Sequence, residues 1–131
     1  MIALDTNVLV RFLVDDDKAQ SARAARFVAR AIAGEEPLFI SDVVMCETVW
    51  VLVAAYHVPR AEVVETLGRL LMAAHLRFDD VDRLSRALEA YIAGKGDFAD
   101  YVIREQARAA GCDRIATFDR VLLKETAFIA P

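Results

Sequence analysis

Acidic residues occupy four places in this 131-residue chain where a parallel α/β sheet would present functional groups. Asp5 ends the apolar run Ile2-Ala3-Leu4, and Glu47 lies in the apolar stretch that follows Pro37 to Ile40. Asp97 and Asp100 come directly after Gly94-Lys95-Gly96, and Asp119 follows Ile115-Ala116-Thr117. In open parallel sheets ligands bind outside the carboxyl ends of the strands, so acids at those ends are the ones to weigh. Carboxylates gathered from separate segments repel one another unless a divalent cation neutralises them, and an oxygen-only donor set selects Mg²⁺ or Mn²⁺ over zinc. Mg²⁺ keeps several waters and takes one or two carboxylates directly, so the other acids act through water or hold a second ion. A cation of this kind polarises a phosphoryl oxygen and activates a water, which makes phosphodiester hydrolysis the expected chemistry.

Each acid also has an ordinary explanation. Asp5-Thr6-Asn7 has the composition of a turn, Asp119 suits a cap for the Arg120 to Lys124 turn, and acids in a first helical turn are common. Asp97 and Asp100 are three residues apart, on one face near the positive end of a helix. Glu47 is the most informative, because Val43, Val44, Met45, Cys46, Val49 and Trp50 surround it on every helical face. Burial of that carboxylate would demand a cation, an ion pair or a hydrogen-bond network. The alternative is a partly exposed Glu on a helix covered by partner chains. The combination of acids is stronger than any member.

The elements that must position these acids follow from the hydrophobic pattern. Strands are predicted at Ile2 to Leu4, Pro37 to Ile40, Leu76 to Phe78, Arg114 to Thr117 and Ala127 to Ile129. Between them lie helical patterns: Val8 to Val14, Lys18 to Ala33, Ser41 to about Tyr56, Pro59 to about His75, one that opens among Asp79, Asp80 and Asp82 and runs to Gly94, and Asp97 to Ala110. Short strands alternating with longer helices imply an α/β fold with a mainly parallel sheet of four to five strands. The length suits one domain, residues 1–131, and there is no repeat or linker. No apolar run reaches the roughly 18 residues of a membrane span, and Asp5 comes too early for a signal peptide, so a soluble cytoplasmic protein is expected.

Composition narrows the function further. Sixteen basic against 20 acidic residues leave a formal charge of -4, which argues against nucleic-acid binding by bulk positive charge but suits a carboxylate-metal nuclease. No G-x-G-x-x-G or G-x-x-x-x-G-K-[ST] pattern is present, so phosphate is not cradled by a glycine-rich loop. Cys46 and Cys112 form no zinc pair or disulfide framework and are expected to pack, and His57 and His75 belong to no nucleophile-base motif.

At these residues the sequence resembles the PIN-domain family and, more narrowly, the VapC-type toxins of prokaryotic toxin–antitoxin pairs. The likeness runs over almost the whole chain. It is carried by Ile2-Ala3-Leu4-Asp5-Thr6-Asn7-Val8-Leu9, Glu47, Asp97-Phe98-Ala99-Asp100-Tyr101-Val102-Ile103 and Ala116-Thr117-Phe118-Asp119. The resemblance implies a three-layer PIN-like domain and a Mg²⁺- or Mn²⁺-dependent endoribonuclease. Asp5, Glu47, Asp100 and Asp119 would be its metal-binding acids, and Asp97 an additional acid that positions the attacking water or relays its proton. Thr6, Asn7 and Thr117 match small polar positions that orient a carboxylate or a bound water. Tyr101-Val102-Ile103 replaces smaller residues after Asp100. The resemblance further implies a structured RNA substrate such as tRNA or rRNA, a homodimer, and hetero-oligomers with an inhibitory VapB-type antitoxin.

Two rivals are less well supported. An aspartyl-nucleophile phosphatase would place a second acid two residues after Asp5, where Asn7 stands. A non-catalytic PIN-like module that binds RNA or protein has no need of all four acids. Among the basic residues, Arg23, Arg26 and Arg30 form one helical face of the kind that is usually just solvated, and Arg104, one turn after Asp100, is the better phosphate contact. Tyr56 and Phe98 are possible base-stacking groups, whereas Trp50 is expected in the core or an interface. The apolar excess of Val8 to Val14 and Val43 to Ala55 fits either a protein partner or deep burial.

Overall fold

Four of the six helices begin where a short polar side chain takes a backbone N–H that the helix leaves unpaired. In the computed structural model, which describes residues 1–131, Asp5 accepts from Val8 N at 3.0 Å, Asp17 from Gln20 N at 3.1 Å, Ser41 from Val44 N at 3.2 Å and Asp80 from Arg83 N at 3.0 Å. These caps start α1 (Thr6–Leu13), α2 (Lys18–Ala33), α3 (Asp42–Ala54) and α5 (Val81–Ala93). Pro59 precedes α4 (Arg60–Met72), and Asp97 precedes α6 (Phe98–Ala109). The strands are β1 (Ile2–Ala3), β2 (Leu38–Phe39), β3 (Leu76–Arg77), β4 (Ile115–Ala116) and β5 (Phe128–Ile129). The chain is thus α/β, as its alternating pattern predicts, and every strand pairing is parallel.

The chain divides into two compact units, Met1–Asp79 and Asp80–Pro131. The first holds the sheet β1-β2-β3, with Ile2 paired to Leu38 and Leu38 to Leu76. The central position of β2 explains why Leu38 and Ile40 are wholly buried. Leu9 of α1, Val28 of α2, Met45 and Val49 of α3, and Leu67 of α4 are buried in the same unit. The second unit pairs β4 with β5 and packs α5 against α6. Tyr91 meets Phe98 edge to face at 5.9 Å, and Leu122, Ala127 and Phe128 form a smaller cluster against which Ile115 of β4 packs. The five strands match the expected number, and their ladders group as three and two.

Two boundaries differ from the sequence expectation. α1 starts at Thr6 instead of Val8, because the Asp5 cap brings Thr6 and Asn7 into the first turn. α4 stops at Met72, three residues before His75, because the His75 carbonyl accepts Leu38 N at 3.0 Å and so belongs to the approach to β3.

Gly94, which ends α5, is needed for space. A Cβ there would overlap the buried Tyr101 hydroxyl and lie 2.8 Å from its Cζ. Gly94→Ala is therefore expected to destabilise by about 1–3 kcal/mol through overpacking, measured as a lower urea midpoint with an unchanged slope. A variant as stable as the parent would show that the loop yields freely.

Candidate functional site

In the first unit, α1 and α3 begin just past the carboxyl ends of the neighbouring parallel strands β1 and β2, with Asp5 capping α1 and Glu47 on α3. Asp5 is exposed. Its Oδ1 caps α1 through Val8 N, and its other oxygen has no protein partner. Glu47 is also exposed, and its Oε2 accepts the Thr6 hydroxyl at 3.0 Å. The burial expected for Glu47 is thus corrected. α3 is apolar on all sides, and one of its faces stays at the surface, with Val43 and Trp50 63% and 69% exposed. Glu47 shares solvent with them. The Thr6 hydroxyl is thus engaged with Glu47, while Asn7 is exposed on α1.

In the second unit the acids gather around the start of α6. Asp100 is half-buried, and its Oδ2 accepts Asp97 N at 2.8 Å. Burial raises the Asp100 carboxyl above its ordinary value; the Asp97 N–H opposes this, and the negative charges of Asp97, Asp119 and Glu125 add to it. Asp119 is exposed just past β4. Its N–H donates to Thr117 Oγ1 at 3.1 Å, and its Oδ1 accepts Val121 N at 2.8 Å, so it does cap the following turn. Thr117 thereby holds the backbone of Asp119.

One pattern recurs in both units. Asp5, Glu47, Asp100 and Asp119 each have one carboxylate oxygen fixed by a single hydrogen bond, and the second oxygen has no protein hydrogen bond. A carboxylate held this way is oriented but still able to ligate. No group of three or more acidic, histidine or cysteine side chains lies close enough together to hold a metal ion. Carboxylate oxygens are hard donors, which suit Mg²⁺ or Mn²⁺ better than zinc.

Several expected groups lie elsewhere. Arg104 donates to Glu105 at 3.1 Å and stands over the Tyr101 ring, 5.3 Å from its centroid, so its guanidinium is engaged within the unit. Phe98 is buried against Tyr91 and unable to stack on a base, whereas Trp50 is at the surface and not in the core. Tyr56 donates to Asp16 at 2.7 Å. Cys46 packs as expected, its thiol pushed up to about 11 by burial and by the charge of Asp42, but Cys112 is exposed. A groove of about 490 Å³ between α1 and α2 is lined by Asn7, Val8, Arg23, Arg26, Phe27 and Arg30 among others, which gives the basic face of α2 an apolar floor.

Sequence reasoning missed Glu125, whose charge reaches Asp100 and whose Oε2 accepts the Tyr101 hydroxyl at 2.7 Å. Nothing in Lys124-Glu125-Thr126 signals this, since an acid in a polar turn reads as surface.

The family model of the PIN domain matches residues 2–129, across both units. No curated protein matches this chain. No helix is long and apolar enough to cross a membrane.

Proposed function

The chain belongs to the PIN domain family, whose members are generally metal-dependent nucleases, and from that premise we propose that it is a Mg²⁺- or Mn²⁺-dependent endoribonuclease acting as the toxin of a VapBC-type pair. Asp5, Glu47, Asp100 and Asp119 are its metal-binding acids, and residues 1–131 work as one PIN domain. The observation that carries this reading is the shared state of the four carboxylates, each oriented by one hydrogen bond with its other oxygen uncommitted. A divalent cation, when bound, supplies polarisation of the phosphoryl group and a lowered pKa for water. The chain's own residues do the rest. Backbone amides of Val8, Asp97 and Val121 and the Thr6 hydroxyl hold the carboxylates in place, and Thr117 secures the turn that carries Asp119. Asp97 is exposed at the start of α6, and in this reading it holds or accepts a proton from a water. The arginines of the α1–α2 groove give an otherwise acidic chain a local attraction for an RNA backbone.

The exposed apolar face of α3, with Val43, Trp50 and Val53, supports a protein partner, which the resemblance makes a second copy of the chain or an antitoxin. Growth arrest on induction in the cytoplasm, cancelled by co-expression of the neighbouring gene, tests the toxin role.

The enzymatic reading is tested on purified protein with tRNA and rRNA. Cleavage is expected with Mg²⁺ or Mn²⁺ and none after chelation; cleavage that survives chelation, or none with either ion, contradicts it. Glu47→Gln keeps an acceptor for Thr6 and removes the charge. It is expected to weaken Mn²⁺ binding about 10-fold or more, read by calorimetry, and an unchanged isotherm removes Glu47 from the ligand set.

A further inference from the structure

Tyr101 follows Asp100 on α6 and is wholly buried, yet it carries a hydroxyl into that interior. A buried phenol needs a partner for its polar end. Here the hydroxyl accepts Gly96 N–H at 3.0 Å and donates to Glu125 Oε2 at 2.7 Å. The Gly94-Lys95-Gly96 loop is wrapped closely around the ring. A Cβ on Gly94 would overlap the hydroxyl, and one on Gly96 would stand 3.2 Å from Cζ and 2.6 Å from Leu122 Cδ2. The Arg104 guanidinium lies over the ring, itself tied to Glu105.

The loop held in this way leads directly into Asp97, whose N–H donates to Asp100 Oδ2 at 2.8 Å. A continuous path therefore runs from Glu125 through the Tyr101 hydroxyl to Gly96, across one peptide link to Asp97, and on to the Asp100 carboxylate. We propose that Tyr101 and Glu125 are positioning residues for Asp100: the hydroxyl, held by the Glu125 carboxylate, sets the loop whose next N–H orients the metal-binding oxygen pair. Glu125 acts through its acceptor oxygen, and its charge is secondary. This inference rests on Asp100 being a metal ligand. A phenylalanine would fill the same space and support the fold, but it would leave Gly96 N–H and Glu125 without the group that joins them.

The test uses the full chain with Mn²⁺ alone as the binding probe, alongside RNA cleavage and thermal unfolding. Tyr101→Phe and Glu125→Ala are each expected to weaken Mn²⁺ binding about 10-fold to 100-fold while the protein remains folded, and to lower kcat more than they change KM. Glu125→Gln keeps an acceptor for the hydroxyl and is expected to bind Mn²⁺ within about threefold of the parent. The double variant Tyr101→Phe/Glu125→Ala is expected to be no weaker than the poorer single variant, because both break one path. Parent-like Mn²⁺ affinity in folded Tyr101→Phe overturns the inference, as does a Glu125→Gln as impaired as Glu125→Ala. If Mn²⁺ binding is abolished by Asp100→Asn yet indifferent to Tyr101→Phe, this inference alone fails. If the parent binds no Mn²⁺, the metal reading fails and takes the inference with it.

Discussion

Asp100→Asn is expected to reduce metal-dependent RNA cleavage at least about 100-fold while leaving the metal-free protein as stable as the parent or more so. Both halves follow from the surroundings of one carboxylate. Asparagine keeps an oxygen for Asp97 N–H, so the start of α6 is preserved, but it removes the negative charge a divalent cation would meet. In the metal-free protein that charge is unfavourable. Burial raises the Asp100 carboxyl, and Asp97, Asp119 and Glu125 add to the shift. A carboxyl raised on folding favours its neutral form, so its stabilising contribution is present below the ordinary aspartate value of 3.8 and lost as pH rises through the folded value. At neutral pH the parent should therefore unfold at or below the temperature of Asp100→Asn, with the gap closing in acid. Thermal scans at neutral and acidic pH, run beside the cleavage assay, check this. Undiminished cleavage removes Asp100 from the chemistry, and a clearly less stable variant shows that its charge has a favourable partner.

Much of the frame is legible because its signals are local. Asp5, Asp17, Ser41 and Asp80 stand at the starts of apolar-periodic runs and cap helices there. Gly34 and Gly94 follow the ends of α2 and α5, and Gly111 takes φ +93, the left-handed conformation that favours glycine after a helix. What required long-range information was not legible. α3 is apolar on all faces, so its periodicity does not distinguish the side that holds Met45 and Val49 from the side that exposes Val43, Glu47 and Trp50. Aromatic type alone likewise fails to separate Phe98, which meets Tyr91, from Trp50 at the surface. Arg104 lies one turn after Asp100, a spacing that suggests a phosphate contact, but its neighbour Glu105 is buried and claims it. The four acids were visible as residues at strand and helix ends. The single hydrogen bond that orients each one became visible only with the fold.

The buried carboxylate of Glu105 carries the largest expected effect on stability. Its Oε1 meets Arg86 Nε at 2.8 Å, and its Oε2 meets Arg108 Nη1 at 2.9 Å and Arg104 Nε at 3.1 Å. Glu105→Ala leaves three guanidiniums facing a space that held their shared partner. Arg86 and Arg108 are about half-exposed and can turn to water, but the Arg104 side chain is only 14% exposed and has nowhere comparable to go. The expected loss is thus near the lower end of the range for breaking a buried ion pair, about 3 kcal/mol. Glu105→Gln keeps the shape and one acceptor oxygen, so about 1–2 kcal/mol is expected. The pH dependence has the opposite sign from that of Asp100. Burial pushes the Glu105 carboxyl up, but the hydrogen bonds from Arg86 and Arg104 and the charges of Arg108 and Arg104 outweigh it and leave the group below the ordinary 4.5. A carboxyl lowered on folding stabilises the protein above its unfolded value and loses that contribution as pH falls through the folded value. The gap in urea-unfolding free energy between the parent and Glu105→Gln should therefore be full at neutral pH and shrink only in strong acid, with little response to added salt because the carboxylate is buried. A gap that vanishes in salt would mark the cluster as a surface network. Because Arg104 also covers the Tyr101 ring, Glu105→Ala should weaken Mn²⁺ binding as well as lower stability, whereas a purely local core defect would lower stability alone.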